Sequence, residues 1–255
     1  PTTPKNQTQE PVDISSGQVD CLPTPKLFDA VLFAEGGDSS PAAPVESSDA
    51  TPVTRYAPAP EIYNNADVKA AGKAFAAQMR VLKDDAFDKL PEAEKRNAFT
   101  MARIGGNNEL KVLTWLRDEI AATLDEPDEE KAFSRYYPKA RAILRGSGAA
   151  VLAPSELLVS FRVTRQKAYS AGVLKYAETN ADALHGLQWR TQEDPQVRAN
   201  HRAWHNVIRP VNDKIWQEWT PPIDFNCRCF LQPIMKTDAA KYPYTANLPT
   251  NRDAF

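Results

Sequence analysis

His201 and His205 are spaced one helical turn apart in the sequence, and the same C-terminal block closes on Cys227-Arg228-Cys229. Imidazole nitrogen and thiolate sulfur are the donors that zinc prefers, and four of them would fill a tetrahedral structural site, leaving no position for substrate. The spacing His201-Arg202-Ala203-Trp204-His205 also matches that of the zinc-protease motif HExxH, in which the glutamate activates a metal-bound water. Here Arg202 occupies that place, and a guanidinium accepts no proton at neutral pH, so protease chemistry is set aside. The Cys-x-Cys spacing weighs against a metal, because zinc cysteines usually come from turns at spacings of two to four, and alternate residues of a strand are a less common source. Two readings remain open: a candidate structural zinc on His201, His205, Cys227 and Cys229, or histidines and thiols buried and satisfied by hydrogen bonds.

The rest of the chain offers little other chemistry. It contains no Gly-rich phosphate loop, no GxSxG elbow and no Asp-Glu cluster suited to magnesium, which argues against a nucleotide-driven enzyme. Asp213 and Asp224 could cap a turn or orient a histidine, but neither has an evident acid/base partner. No catalytic residue and no organic cofactor site is assigned. Trp189, Trp204, Trp216 and Trp219 supply apolar area, with indole N–H groups available to loop carbonyls. Arg141, Arg145, Arg162, Arg165 and Lys167 lie on or beside helices, where they form either a solvated face or a modest phosphate-binding surface.

Helical periodicity positions these residues. Val68, Ala71, Phe75, Met79, Leu82 and Ala86 recur at three- and four-residue steps and predict one amphipathic helix that ends near Leu90-Pro91. A second helix follows Gly105-Gly106, capped by Asn107 or Asn108, with Leu110, Leu113, Leu116, Ile120 and Leu124 on one face and a stop at Asp125-Glu126-Pro127. A third opens at Pro127-Asp128-Glu129-Glu130, with Pro138 as a point where it could split. The longest runs from Pro154-Ser155 to about Glu178, and Ala168, Ala171 and Gly172 in it permit close packing. Beyond Asn180 the pattern changes to short strands over 187–191, 207–209 and 229–232. The expected fold class is α+β, a mainly helical body with a small C-terminal α+β module and a long irregular N-terminal arm.

Residues 1–60 form that arm, rich in Pro, Ser, Thr and acidic residues. Up to Arg55 it carries three basic residues against eight acidic ones, so it is net acidic and the remainder slightly basic. An apolar island, Leu27, Phe28, Val31, Leu32 and Phe33, could dock on a partner or fold locally. The 255 residues are 42% hydrophobic and 25% charged with a net charge of -2, so bulk charge recruits neither nucleic acid nor a membrane. Three cysteines, two of them one residue apart, make a poor disulfide framework and suit a reducing compartment, with Cys21 a spare thiol. No apolar run reaches the roughly 18 residues of a membrane span, and the N-terminus has no signal-peptide pattern.

The ordered run from Asp194 to Cys229 resembles the phage Mu F-like head-morphogenesis proteins, minor capsid proteins of tailed bacteriophages. Asp194, Val197, Arg198 and His201 fit the family's opening D-x-x-V-R-x-x-H, and Trp204 and His205 its middle. Pro210, Asp213, Trp216, Pro221, Pro222, Asn226, Cys227, Arg228 and Cys229 fit its close. Asn206 stands where Gly is common, and Ile223-Asp224-Phe225 replaces Asn-Gly-Trp; asparagine tolerates the left-handed backbone better than other non-Gly residues. The resemblance extends less sharply over 98–179, and nothing before about Tyr56 is covered. Composition and periodicity divide the rest of the chain into an arm over 1–60, a helical region over 61–180 and a tail over 236–255, and the resemblance makes 181–235 a Mu F-like module. The resemblance also implies a structural, non-enzymatic virion protein, assembled in the host cytoplasm and located in the phage head near the portal vertex. There it would assist head assembly, DNA packaging or ejection. Its implied partners are the portal protein and the major capsid protein, with packaged DNA a further candidate and no membrane. The alternative is a toxin-like or nucleic-acid-processing enzyme, a nuclease or ADP-ribosyltransferase, carried in the particle.

Overall fold

The computed structural model describes residues 59–101, 109–150, 152–223 and 226–249. The expected arm before Ala59, with its apolar island, lies outside the described residues, as do Asn107, Asn108 and Asp224. The described chain is a helix-dominated α+β fold. After a single 3-10 turn over Glu61–Asn64, helix α1 covers Ala66–Gln78, and its start is set by Asn65, whose side chain accepts from the Asp67 and Val68 amides. Here the structure departs from the single long helix expected to Leu90. Met79 turns extended and sinks into the core, and strand β1 (Arg80–Val81) pairs in parallel with β2 (Ala98–Phe99). Two short helices, α2 (Asp84–Asp88) and α3 (Glu92–Lys95), fill the crossover between them. Burying Met79 beside Phe99 and Met101 overrides the periodicity that runs on through Leu82 and Ala86, and Ala86 is exposed.

Helix α4 (Glu109–Ala122) buries Leu113, Leu116 and Ile120 of the predicted face, with Leu124 just beyond it, but Val112 is buried in place of Leu110, which is exposed. Helix α5 (Glu129–Ser147) begins at an Asp128 cap that accepts from the Lys131 amide and ends at Gly148, which adopts the left-handed conformation at φ 70°. It passes through Pro138 unbroken. Proline removes one helical hydrogen bond, and the continuous buried stripe of Phe133, Tyr136, Ala140 and Leu144 holds the two halves in line. Helix α6 (Pro154–Thr179) starts with proline at its first position and the Glu156 carboxylate accepting from the Ala153 amide. It is buried on nearly every side, and its N-terminal half packs with α4 and α5 while its C-terminal half packs with α1 and the strands that follow.

Helices α1 and α6 approach closely through their glycines. A Cβ on Gly172 would lie 2.2 Å from the Val68 carbonyl oxygen, and one on Gly72 would lie 2.9 Å from that of Ala168. The small residues read from the sequence at 168–172 therefore do bring two backbones together.

The C-terminal module is a three-stranded antiparallel sheet, order β4-β3-β5, from β3 (Leu184–Arg190), β4 (Ile208–Arg209) and β5 (Phe230–Met235). Between β3 and β4 lies the short helix α7 (Ala199–Ala203), and between β4 and β5 lies α8 (Ile215–Glu218). A final 3-10 segment covers Lys236–Lys241. The three strands fall where sequence alternation puts them. Trp189, Trp204 and Trp219 are packed in series, ring centroids 5.6 Å apart for the first pair and 4.7 Å, stacked, for the second. Trp216 donates its indole N–H to the Pro210 carbonyl at 2.8 Å, whereas the buried indole N–H groups of Trp189 and Trp204 meet no oxygen or nitrogen acceptor among the described residues.

Gly172→Ala should lower stability by about 1–3 kcal/mol or more, because the added methyl forces two packed backbones apart. Denaturant unfolding of the wild-type and variant chains measures this, and an unchanged midpoint would show that α1 shifts on α6 without cost.

Candidate functional site

The site is built where α6 meets the segment that precedes β5. From α6, Arg162 clamps the Glu129 carboxylate at the start of α5 with its Nε (2.9 and 3.0 Å) and Nη2 (2.5 Å), and donates through Nη1 to Asn226 Oδ1. One turn on, Gln166 donates to the Cys229 carbonyl and to the Tyr63 hydroxyl. Arg165 points the other way and donates to the carbonyls of Thr123 and Glu126, the orphan acceptors that follow α4. Burial pulls the Arg165 guanidinium below its usual range, against Tyr169 and the carboxylates of Glu129 and Glu126. Burial also lifts the Tyr169 phenol, to about 12, and its hydroxyl donates to the Leu124 carbonyl. The basic-surface reading is corrected for these residues. Arg162 and Arg165 are 2% and 4% exposed, and Lys167 is spent on the carbonyls of Lys95 and Ala98.

On the module side, the opening and close of the sequence motif are bonded to each other. Arg228 grips both oxygens of Asp194 at 2.5 and 2.7 Å, and Gln192 donates to the Arg228 carbonyl at 3.2 Å. The Arg228 hydrogen bonds hold the Asp194 carboxyl below the usual carboxylate range. Asp213 caps the turn into α8 by accepting from the Ile215 amide and pairs with Arg209 at 2.7 Å. Asn206 and Asn226 both lie in the left-handed region, at φ 68° and 57°. At 206 this fits a position where glycine is common in the resembling sequences.

The four predicted metal ligands separate into two groups. His201, Cys227 and Cys229 come together, each 2–3% exposed, with His201 Nδ1 3.6 Å from Cys227 Sγ and 3.5 Å from Cys229 Sγ. His205 is not among them. Helix α7 ends at Ala203, Trp204 closes it, and the imidazole of His205 falls outside the helical register that HxxxH presumes. Its Nδ1 accepts from the Thr191 amide at 3.2 Å and lies 2.9 Å from the Thr191 hydroxyl, and its Nε2 faces Glu193 at 3.2 Å.

The hydroxyl, imidazole and carboxylate of Thr191, His205 and Glu193 border an open cleft, yet they do not make a nucleophilic triad. Thr191 is 3% exposed, and its backbone amide already occupies the nitrogen that would have to take the hydroxyl proton. In the buried cluster, burial alone would raise the Cys227 thiol, but hydrogen bonds from Cys229 and His201 outweigh it and hold Cys227 well below the ordinary thiol range. Cys229 is pushed up by that same hydrogen bond and by its own burial.

The sequence profile described as "Phage Mu protein F like protein" matches residues 96–232, just over half of the chain, and includes His201, Cys227, Cys229 and the α6 residues that position them. The chain belongs to the phage Mu F-like family. It is 25% identical to the "Putative capsid assembly protein F" of Escherichia phage Mu over 184 residues, 66% of this chain and 41% of that protein. It is also 25% identical to the "Mu-like prophage FluMu F protein" of Haemophilus influenzae over 158 residues, 58% of this chain and 37% of that protein. The Mu F-like chain thus spans about two fifths of the length of the curated relatives it matches. No solved structure matches it.

Gln166 is a site-building residue that sequence reasoning missed, and Arg162 and Arg165, expected on a solvated or phosphate-binding face, build the site as well. Their signal was present as two arginines and a glutamine on a helix whose other residues are mostly apolar or small.

Arg162→Ala should cost about 3–5 kcal/mol, because it leaves the Glu129 carboxylate largely buried without its cation, and a drop in the thermal midpoint checks it. His205 gives a separate pH signature. Burial, only partly opposed by Glu193, sets its folded pKa below the ordinary 6.5, so the unfolded chain binds the proton more tightly. This contribution should be complete above pH 6.5 and be lost as pH falls through the folded value, and His205→Gln should flatten that part of a thermal-midpoint profile.

Proposed function

We propose that this Mu F-like chain is a structural minor head protein of a tailed bacteriophage, acting in head morphogenesis beside the portal vertex. Its partners in that role are the portal protein and the major capsid protein, and it assists head assembly, DNA packaging or ejection. The observation that carries the reading is the profile match over 96–232, together with two relatives named for capsid assembly or as F proteins of Mu-like phages.

The chemistry of the site supports a structural role. The thiols and His201 are buried, His205 is held at both ring nitrogens, and Asp194 is neutralised by Arg228. No helix among the described residues is long and apolar enough to cross a membrane. The acidic, Pro-rich composition of residues 1–60 suits a partner-binding role on a portal or capsid subunit.

Labelling the chain in intact particles and imaging the vertices should place it at low copy at the portal vertex. Purified heads that lack it, or that carry it evenly over all vertices, would overturn the placement. Particles made without it should show defective or empty heads; normal yield of filled heads would remove the assembly role.

A further inference from the structure

We infer that His201, Cys227 and Cys229 form a zinc centre with three protein ligands, its fourth position open to a small polar cavity. The inference stands apart from the head-assembly reading and rests on the donors alone.

The ligating atoms of the three residues lie within 4.8 Å of one another. His201 Nδ1 is nearly equidistant from the two sulfurs, at 3.5 and 3.6 Å. One imidazole nitrogen has one proton or one lone pair in its ring plane, so it cannot make two good hydrogen bonds at once. A metal explains the equidistance. Zinc bonds of about 2.3 Å to sulfur and 2.0 Å to nitrogen at a tetrahedral angle set an N···S edge of about 3.5 Å. The coordinating nitrogen is Nδ1, which faces both sulfurs; Nε2 then carries the ring proton, so Arg198 Nη1, 3.4 Å from it, must turn away when metal binds.

The Cys-x-Cys spacing no longer argues against the metal. Alternate residues of a strand point to opposite faces, but Cys227 and Cys229 precede β5 in an irregular segment that leaves the left-handed Asn226. Both thiols therefore face one imidazole. Gln166 and Arg162 pin this segment to α6 through the Cys229 carbonyl and the Asn226 side chain, so the donors are held by groups outside the cluster.

Charge and softness select the ion. Two thiolates buried together are costly, and a divalent cation neutralises them as the thiol protons leave to solvent. A set of two sulfurs and an imidazole, with no carboxylate oxygen, favours zinc over magnesium or calcium. Next to the donors is a cavity of about 110 Å³ lined by Gln192, Gln196, Arg198 and Asn226, large enough for water or a small ligand at the fourth position.

The full chain, purified without chelator, refilled with zinc under reducing conditions and desalted, should hold about one zinc per chain by elemental analysis. The cobalt-substituted chain should show tetrahedral d–d bands with thiolate charge transfer, and adding 2-mercaptoethanol should strengthen the charge transfer by filling the fourth position. His201→Ala and Cys229→Ser should each lose the metal, and His205→Ala should keep it. Less than about a tenth of an equivalent of zinc in the wild-type chain overturns the centre. Full loading of a folded Cys229→Ser chain, or emptying of a folded His205→Ala chain, overturns the ligand set. A cobalt spectrum indifferent to the added thiol overturns the open position. The wild-type metal content and cobalt spectrum decide the main question even if the His201 and Cys229 variants do not fold.

Discussion

The polar stripe buried along α6 ties α4, α5 and the segment before β5 to one helix. A helix enclosed by other elements on nearly all sides would ordinarily be apolar, and Arg162, Arg165, Gln166 and Tyr169 break that rule. Each buried cation has to be met by acceptors in fixed places, and those acceptors are the Glu129 carboxylate, the carbonyls after α4, and the Asn226 side chain. The requirement is geometric as well as energetic, because the guanidinium forks accept only certain directions. It orients α4, α5 and the segment before β5 about one axis. Apolar packing of the same surfaces would stabilise them without fixing their angles so narrowly.

The C-terminal module inherits its geometry from that axis. Arg162 and Gln166 hold Asn226 and the Cys229 backbone, which places both thiols opposite His201. The bidentate Arg228–Asp194 pair then closes the loop between the two ends of the family motif, and the tryptophan series fills the space behind it. The motif residues are thus mutually bonded rather than merely adjacent. A segment with so few strand residues is stabilised by these cross-links as much as by its sheet.

Much of this was legible in the sequence. Three helices and three strands lie where periodicity, caps and prolines place them, because α4, α5, α6 and the strands each bury one contiguous pattern. The α1 region failed for a physical reason: the periodic residues continue past Met79, but the core draws Met79 inward and a two-residue parallel ladder replaces helical bonds. Local chemistry makes Pro138 a point where the helix could split, and the buried face on both sides of it keeps the helix whole. Charge usually marks a surface, but the burial of Arg162 and Arg165 depends on acceptors 33 to 64 residues away in sequence, which spacing cannot show.

The sequence by itself determined the family, through an ordered motif from Asp194 to Cys229, and the α+β class, through its switch from helical to alternating periodicity near Asn180. It also supplied the donor atoms of the His/Cys cluster. Only the tertiary structure decided which donors meet. Local spacing put His201 and His205 on one helical face, but α7 stops after one turn, so His205 turns to Thr191 and Glu193. Spacing set Cys227 and Cys229 apart as alternate residues, but an irregular backbone held by α6 turns both toward His201. Each outcome was settled by long-range partners, and a one-dimensional pattern carries only local geometry.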